Sequence, residues 1–407
     1  MSQTFTPQAS VRTLAVQGLV SILKHQRKAD VALEQLGANL DTRDRALLHE
    51  LVLGVLRYFY SLEADFSRFL KQKPDIEARM TLLLGTYQLR YMRVPSHAAV
   101  SECVNVMKLL QPKASGMVNA VLRKVAAGEG PKKLKPHQRV GIPNWLYKNW
   151  RDAFGQHVVQ AFSQVLQTPA HLCVAVFVDR ETWLAEVYSM GIDVEKGAFS
   201  PYAALLPVGT NVTSLPGFDE GAFTVMDQAA QMAVLALDAP EDGLILDVCA
   251  APGGKTALLA HRFPKARIIA VEFNSKRIPR LKQNLLRLKC NNVRVMQADA
   301  LYLSILESCA DAIFLDAPCS ASGILRRHPD AKFLHDEAAV NALVIVQKNM
   351  LLRCLEALKE DAILVYAVCS INPQENEQVI EGLNVISSNR ILPADDHDGF
   401  FWAKLHK

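Results

Sequence analysis

The hydrophobic period of this chain changes once, and that change limits its fold more than any other feature. From about residue 8 to 127, apolar residues recur at three- and four-residue spacing. Leu47, Leu48, Leu51, Val52, Val55, Leu56 and Phe59 form one such series and Leu83, Tyr87 and Tyr91 another, as expected of helices sharing an apolar face. From residue 226 onward, short β-branched runs at 244–248, 267–271, 293–296, 312–315 and 363–367 alternate with helical stretches. Strands separated by helices of about ten or more residues build βαβ units in a mostly parallel, doubly wound sheet. Such sheets take ligands at the carboxyl ends of their strands. An all-α bundle followed by an α/β domain is therefore expected.

Between these parts, residues 128–143 lack periodicity and combine Gly, Pro and five basic residues, as a linker does. Residues 144–225 mix a helical start at 145–166 with apolar runs at 173–178 and 203–208, which reads as a small α/β connector. The expected domains are thus 1–127, a basic linker at 128–143, a connector at 144–225 and a catalytic domain at 226–407. A length of 407 residues suits two or three domains at about 150 residues each. Asp41 or Thr42 can cap the helix that carries Arg45 to Tyr60, and Pro95-Ser96 can open the next.

The N-terminus has no basic start followed by an apolar core, and unbroken apolar runs such as 362–368 fall far below the ~18 residues of a membrane span. A soluble, cytoplasmic chain without membrane contact is expected. Eight cysteines (103, 173, 249, 290, 309, 319, 354 and 369) show no paired metal spacing, so reduced thiols are expected, with neither a disulfide framework nor a metal site.

The net charge of +4 conceals a division. Residues 1–150 carry 22 Lys and Arg against 11 Asp and Glu, a net of +11, and the remainder carries −7. An asymmetry of that size suggests that the N-terminal part meets a polyanion. Arg90, Arg93, Lys113, Arg123 and Lys124 are candidates for phosphate contacts, which hold a nucleic acid without reading its sequence.

The first strand of the α/β part ends in Asp247-Val-Cys-Ala-Ala-Pro-Gly-Gly-Lys-Thr256, a small-residue turn that opens a helix. Backbone approaches a ligand closely there, and free N–H groups meet its anionic end. The last residues imitate a phosphate-binding loop, but Cys249 stands where that loop needs glycine. Glu272 closes the second strand about 25 residues after Asp247, near the spacing at which doubly wound folds place an acid on ribose hydroxyls. Asp299 and Asp316 follow the third and fourth strands, so three successive strand ends bear acids, which suits an adenosyl ligand.

Asp316-Ala-Pro-Cys-Ser-Ala-Ser-Gly323 and Tyr366-Ala-Val-Cys-Ser370 then place Cys319 and Cys369 after adjacent strands, in one cleft. Two thiols beside a carboxylate answer a specific chemical problem. C5 of a pyrimidine is too electron-poor to attack a sulfonium methyl, but a thiolate added at C6 makes C5 enamine-like. A proton must afterwards leave C5 and the thiolate must depart, which gives a second thiol a role, while a carboxylate on the N3/N4 edge stabilises the adduct. The base has to be unpaired or flipped to reach such a pocket. Spacing alone leaves open which thiol attacks. It also leaves open two other readings, a noncatalytic RNA-binding factor and a nucleotide triphosphatase.

These motifs, together with Asp44-Arg-Ala-Leu-Leu, Gly85-Thr-Tyr-Gln-Leu, Arg326-Arg-His-Pro-Asp and Asp398-Gly-Phe-Phe, resemble in order the NOL1/NOP2/Sun family of RNA cytosine-5 methyltransferases. The resemblance covers nearly the whole chain. It implies a Rossmann-like methyltransferase domain behind a NusB-like, RNA-binding N-terminal domain, acting as a monomer on free or early-assembly 16S ribosomal RNA. It implies S-adenosyl-L-methionine as donor and no metal. Cys249, Ala250, Ala251, Pro252, Gly253, Gly254 and Lys255 would surround the methionine part of the donor, Glu272 its ribose and Asp299 its adenine. It further implies that Cys369 attacks, that Cys319 assists release, and that Asp316 faces both donor and cytosine.

Four departures from the family pattern stand out. Glu272 replaces the usual Asp, and Val368 replaces the Thr before the nucleophile. Ala321-Ser322 stand where Gly-Thr or Ala-Thr is frequent, and Cys173-Val-Ala175 replaces Arg-x-Asn in the connector.

Overall fold

The structure, a computed structural model, describes residues 10–131, 133–302 and 308–407. Backbone packing divides it into two compact units, Met1–Thr168 with His328–Asp336, and Pro169–Arg327 with Glu337–Lys407.

The first unit is helical. Its bundle comprises α1 (Val11–His25), α2 (Ala29–Gly37), α3 (Thr42–Ser67), α4 (Ile76–Tyr91), α5 (Ser96–Leu110) and α6 (Ser115–Ala126). Ser10 caps α1 by accepting from the Thr13 N–H at 3.2 Å, and Asp41 caps α3 by accepting from the Asp44 N–H at 2.8 Å. The periodic residues of α3, from Leu48 to Phe59, lie inside, and each contributes about 2 kcal/mol through the apolar area it removes from water. Tyr91 departs from its expected place in the core: it is exposed and stacks on Tyr58 with ring centroids 3.9 Å apart.

The stretch 128–143 is not wholly irregular. Its second half forms α7 (Pro136–Val140), which packs beside α3 and buries Val140. Helices α8 (Asn144–Phe154) and α9 (Gln156–Gln167) cover the stretch read from sequence as the helical start of the connector, and their packing places them in the first unit. Trp150 of α8 and Phe162 of α9 meet edge to face, and Tyr58 of α3 donates a hydrogen bond to the Gln167 carbonyl at 2.9 Å.

Residues 328–336, with α14 (Ala331–Leu334), complete this unit. Asp330 accepts from the Ala29 N–H at the start of α2, Lys332 donates to the carbonyls of Gly141 and Arg57, and Phe333 packs on Phe59 and Tyr60.

The second unit begins with a four-stranded antiparallel sheet of β1 (Leu172–Val176), β2 (Glu195–Lys196), β3 (Ala203–Leu206) and β4 (Phe223–Val225), in the order β2-β3-β1-β4, with α10 (Arg180–Ser189). Cys173 and Ala175 lie buried in β1, so these two departures from the family pattern serve packing here.

A seven-stranded sheet follows, ordered β10-β11-β9-β8-β5-β6-β7. Its parallel core is β5 (Leu244–Val248), β6 (Arg267–Glu272), β7 (Val293–Gln297), β8 (Ala310–Asp316) and β9 (Leu358–Val368). The strands β10 (Val385–Ile391) and β11 (Phe400–His406) add an antiparallel edge. Helices α11 (Gln228–Leu235), α12 (Gly254–Arg262), α13 (Ile278–Arg287) and α15 (Glu337–Ala357) accompany it. Buried on both faces, β5 and β8 read as near-continuous apolar runs.

By length and mean hydropathy, α15 is the one described helix apolar enough to cross a membrane. Polar residues such as Asn341, Gln347 and Lys348 interrupt it, so its unbroken apolar runs, such as 342–346, are short. It packs Met350, Leu351, Cys354 and Ala357 in the core beside β8 and β9.

Candidate active site

The order of strands reverses at β5, since β6 and β7 lie on one side and β8 and β9 on the other. The turn after β5 therefore opens at the switch point where doubly wound sheets bind ligands. Asp247 is fully buried, and its Oδ2 accepts from Thr256 Oγ1 at 2.5 Å, which ties the strand to the first turn of α12. Burial pushes its carboxyl up to about 7; the Thr256 hydrogen bond works against that rise and the Asp316 charge adds to it.

Cys249 has φ +66° and Gly253 φ +101°. A Cβ at Gly253 would come within 2.8 Å of Leu281 Cδ1 on α13, so only glycine fits. The Cys249 thiol is half-buried and burial raises it well above the usual range, so this residue offers its backbone to the site. The first turn of α12 adds N–H groups that have no acceptor within the helix.

Glu272 ends β6 as expected, and its carboxylate is built into the turn. Its Oε2 accepts from the Ala251 N–H at 3.2 Å and pairs with Arg277 Nη1 at 3.2 Å, while Oε1 accepts from the Asn274 N–H at 2.9 Å. Oε1 keeps a lone pair for a further donor. Arg277 also donates to the Ala251 carbonyl and Asn284 to the Pro252 carbonyl, so α13 holds the turn through two side chains that the sequence reading did not single out. Asp299 follows β7, and its Oδ1 accepts from the Leu301 N–H at 3.0 Å within its own loop. Phe273, which follows Glu272, and Tyr302, three residues after Asp299, are each 68% exposed. Carboxylates beside exposed rings match the hydroxyls and base of a nucleoside, so these residues fit an adenosyl donor.

The two cysteines that sequence placed in one cleft do meet. Asp316 pairs with Ala367 across parallel strands β8 and β9, and Cys319 and Cys369 lie beyond the ends with their sulfurs 3.4 Å apart. The Cys319 thiol is raised well above its usual range by its hydrogen bond to Cys369, by burial and by the charges of Cys369 and Glu375. Lys255 Nζ pairs with Asp316 Oδ2 at 2.8 Å. Burial disfavours the Lys255 charge, but Asp316, Cys369 and Asp247 together hold it above its ordinary value. One sulfur thus faces a cation and the other an anion.

Sequence reading missed Glu375, which is fully buried beside both cysteine loops. It also gave no contact between the Arg326-Arg-His-Pro-Asp and Asp398-Gly-Phe-Phe motifs. Arg327 joins Asp398 to Asp227, with Nη2 2.9 Å from Asp227 Oδ2. Gly399 donates to the Gly323 carbonyl at 2.8 Å, and Gly323 donates to the Cys369 carbonyl at 3.0 Å. A Cβ at Gly323 would lie 2.2 Å from the Gly399 oxygen, so the two glycines permit this approach behind the cysteines.

In the helical unit, a groove of about 750 Å³ runs past Phe69, Leu70, Met117 and Val121, rimmed by Lys71, Lys73, Lys113 and Lys124. Its one acid, Asp75, accepts a hydrogen bond from Gln111. Lys124 and Arg68 also stand over the Phe69 ring, at 5.3 and 4.7 Å. Of the other basic candidates, Arg123 lines a second groove with His97 and Lys108, and Arg93 is exposed. Arg90 is held by Asp65 at 2.8 Å and by the Glu129 carbonyl.

The chain is similar to known proteins over nearly its whole length. Residues 234–385 match the family model described as 16S rRNA methyltransferase RsmB/F, and residues 9–127 match the NusB family. The chain is 34% identical over 423 residues to the ribosomal RNA small subunit methyltransferase B of Proteus mirabilis, covering 98% of this chain and 99% of that protein. It is 36% identical over 430 residues to the protein of the same name from Pectobacterium atrosepticum, with the same coverage. Its fold is similar to that of the crystal structure of PH0851, with a TM-score of 0.83, 20% identity, and coverage of 98% of this chain and 99% of that one.

Proposed function

Given that the chain belongs to the 16S rRNA methyltransferase RsmB/F family, we propose that it transfers a methyl group from S-adenosyl-L-methionine to C5 of a cytosine in 16S rRNA through a covalent bond to Cys369. The observation that carries this reading is the pair of sulfurs 3.4 Å apart, one beside Lys255 with Asp316 and the other beside Glu375.

That asymmetry supports an order for the two thiols that spacing alone does not give. The Lys255 ammonium acts on the Cys369 side of the pair and the Glu375 carboxylate on the Cys319 side, which supports Cys369 as the nucleophile at C6. Cys319 starts as a thiol. Asp316, fixed through Oδ2 by Lys255, accepts from the exocyclic N4–H of the base. The 249–255 turn, Glu272 and Asp299 would hold the methionine part, ribose and adenine of the donor, which would supply an electrophilic methyl group to the C5 that addition has made nucleophilic.

Once the Cys369 sulfur is bonded to C6, its negative charge no longer holds the proton of Cys319. Cys319 loses that proton to solvent and takes the C5 proton. The C5–H electron pair re-forms the C5–C6 double bond, the C6–S bond breaks, and Cys369 returns as thiolate. The net products are methylated cytosine, the demethylated donor and one proton.

The target cytosine must be unstacked to reach this cleft, which suits free or early-assembly RNA. The lysine-rimmed groove of the helical unit supports a backbone-holding role, since lysines along a groove with an aromatic and aliphatic floor suit single-stranded nucleic acid.

The test is denaturing gel electrophoresis after incubation with donor and unmodified 16S rRNA. Cys319→Ala is expected to accumulate a covalent protein–RNA adduct. Cys369→Ala is expected to form none and to lose turnover by about 10³-fold or more. The reverse pattern overturns the assignment, and bisulfite mapping of the product identifies the nucleotide.

A further inference from the structure

Glu375 has no part in the steps above, yet it is the most heavily hydrogen-bonded carboxylate among the described residues of the second unit. It is fully buried. Oε1 accepts from the Ser320 N–H at 2.7 Å and from Gln347 Nε2 at 3.2 Å. Oε2 accepts from Ser320 Oγ and Ser370 Oγ, each at 2.5 Å, and from Asn372 Nδ2 at 3.1 Å. Ser320 follows Cys319 and Ser370 follows Cys369, so one side chain is bonded to the next residue after each thiol.

Five donors converge on Glu375 and no basic side chain is among them. Amide and hydroxyl hydrogens of that number satisfy an ionised carboxylate and leave no place for a proton on it. Among the described residues no cation pairs with this buried carboxylate, a costly arrangement for a charge unless its field is used. Its charge acts on the Cys319 thiol and on Tyr366, whose hydroxyl donates to the Glu375 carbonyl at 2.7 Å.

We propose that Glu375 is a positioning residue that locks the two cysteine loops in register and, through its charge, biases which sulfur keeps its proton. The proposal rests on the thiol chemistry above and adds to it the cause of the asymmetry: an anion built in on the Cys319 side balances the Lys255 cation on the Cys369 side. The loop hydrogen bonds fix distance, and the charge fixes order.

The test separates these two contributions in the full-length protein. In a Cys369→Ala background, which leaves Glu375 as the remaining charge on Cys319, the pH dependence of Cys319 alkylation by iodoacetamide is followed by peptide mass spectrometry. Adding Glu375→Gln is expected to lower the alkylation midpoint by about one pH unit, while Glu375→Asp leaves it within a few tenths.

With both cysteines present, Glu375→Asp, which keeps the charge but is too short to reach both loops, is expected to lower kcat about tenfold with KM for RNA and donor affinity within about twofold. Ser370→Ala, which removes one strut and leaves the charge, is expected to do the same to a smaller extent. It also serves as the readout of the positioning role if Glu375→Asp does not fold.

Equal alkylation midpoints for Gln and Glu overturn the charge role, and unchanged kcat in both Glu375→Asp and Ser370→Ala overturns the positioning role. Alkylation needs no RNA, so its outcome is independent of whether cytosine C5 is the methylated atom. Failure of that reading appears instead in the adduct assay on Cys319→Ala and Cys369→Ala.

Discussion

The two units place their charges oppositely. The helical unit puts lysines and arginines on its surface and fills its core with aliphatic side chains, and its buried acid and lysine among the described residues, Asp330 and Lys332, both come from the returning segment 328–336. The α/β unit carries Asp247, Glu272, Glu375, Arg326 and Asp398 inside. Surface charge attracts a polyanion at long range and is screened by salt. Buried charge is shielded from salt and fixes protons and sulfurs at set distances. Under the proposed function, one unit would hold the RNA and the other would react with it.

The largest consequence is opposite pH dependence of stability. Burial, followed by the charge of Arg57, lowers Lys332 to about 7. The fold therefore favours the neutral amine. Its contribution is complete above the unfolded value of about 10.4 and is lost as pH falls towards 7, a span of about 3–5 kcal/mol. Hydrogen-exchange protection of α3 should rise between pH 7 and 10, and Lys332→Met should flatten that rise. An unchanged slope in the variant would remove the contrast.

Asp247 runs the other way at somewhat smaller amplitude. Its folded value is raised to about 7, so the fold favours the neutral acid. That contribution is complete below the unfolded value of about 3.9 and is lost as pH rises to 7, about 3–4 kcal/mol. Protection of β5 should fall across that window, and Asp247→Asn, which can still bond Thr256, should hold it level.

Next in size is the salt response of RNA binding. Replacing Lys71, Lys73, Lys113 and Lys124 with Gln should reduce the slope of log affinity against log salt by roughly 2–3, since each phosphate contact on a single strand contributes about 0.7. Arg90→Gln should do less, because Asp65 already neutralises that guanidinium. If the four-lysine variant keeps the wild-type slope, the surface charge of the helical unit has some other purpose.

Sequence revealed most of the architecture because both units follow short-range rules. Period 3.6 marked α3, and apolar runs marked β5 and β8. The edge pair was missed because β10 reads Val-Ile-Ser-Ser-Asn-Arg-Ile, too polar for a buried strand, and gains its regularity from pairing with β11. The strand-end acids and both cysteines were legible because the βαβ rule brings carboxyl ends together. Glu375 was not, since its partners Ser320 and Gln347 lie 55 and 28 residues away and only packing brings them to it. Arg277 escaped notice for the same reason, and Arg327, although part of a quoted motif, could not be joined to Asp227 and Asp398 before packing placed them beside it.

The smallest expected effect tests how closely the buried charges of the α/β unit are fitted. Glu272 stands where the family usually has Asp, and the structure gives the extra methylene a use. It lets one carboxylate reach the Ala251 N–H, the Asn274 N–H and Arg277 together. Glu272→Asp should retract the carboxylate and give up the contact to Ala251 first, loosening the turn while leaving charge and sheet intact. Loss of one such hydrogen bond is worth about 1 kcal/mol, so donor affinity measured by calorimetry should fall about fivefold, with RNA affinity and its salt slope unchanged. A variant that binds donor as well as the wild type would mean that Glu272 meets the ribose without help from the turn. A loss beyond about 100-fold would mean that the acid carries the turn's conformation as well as the ligand.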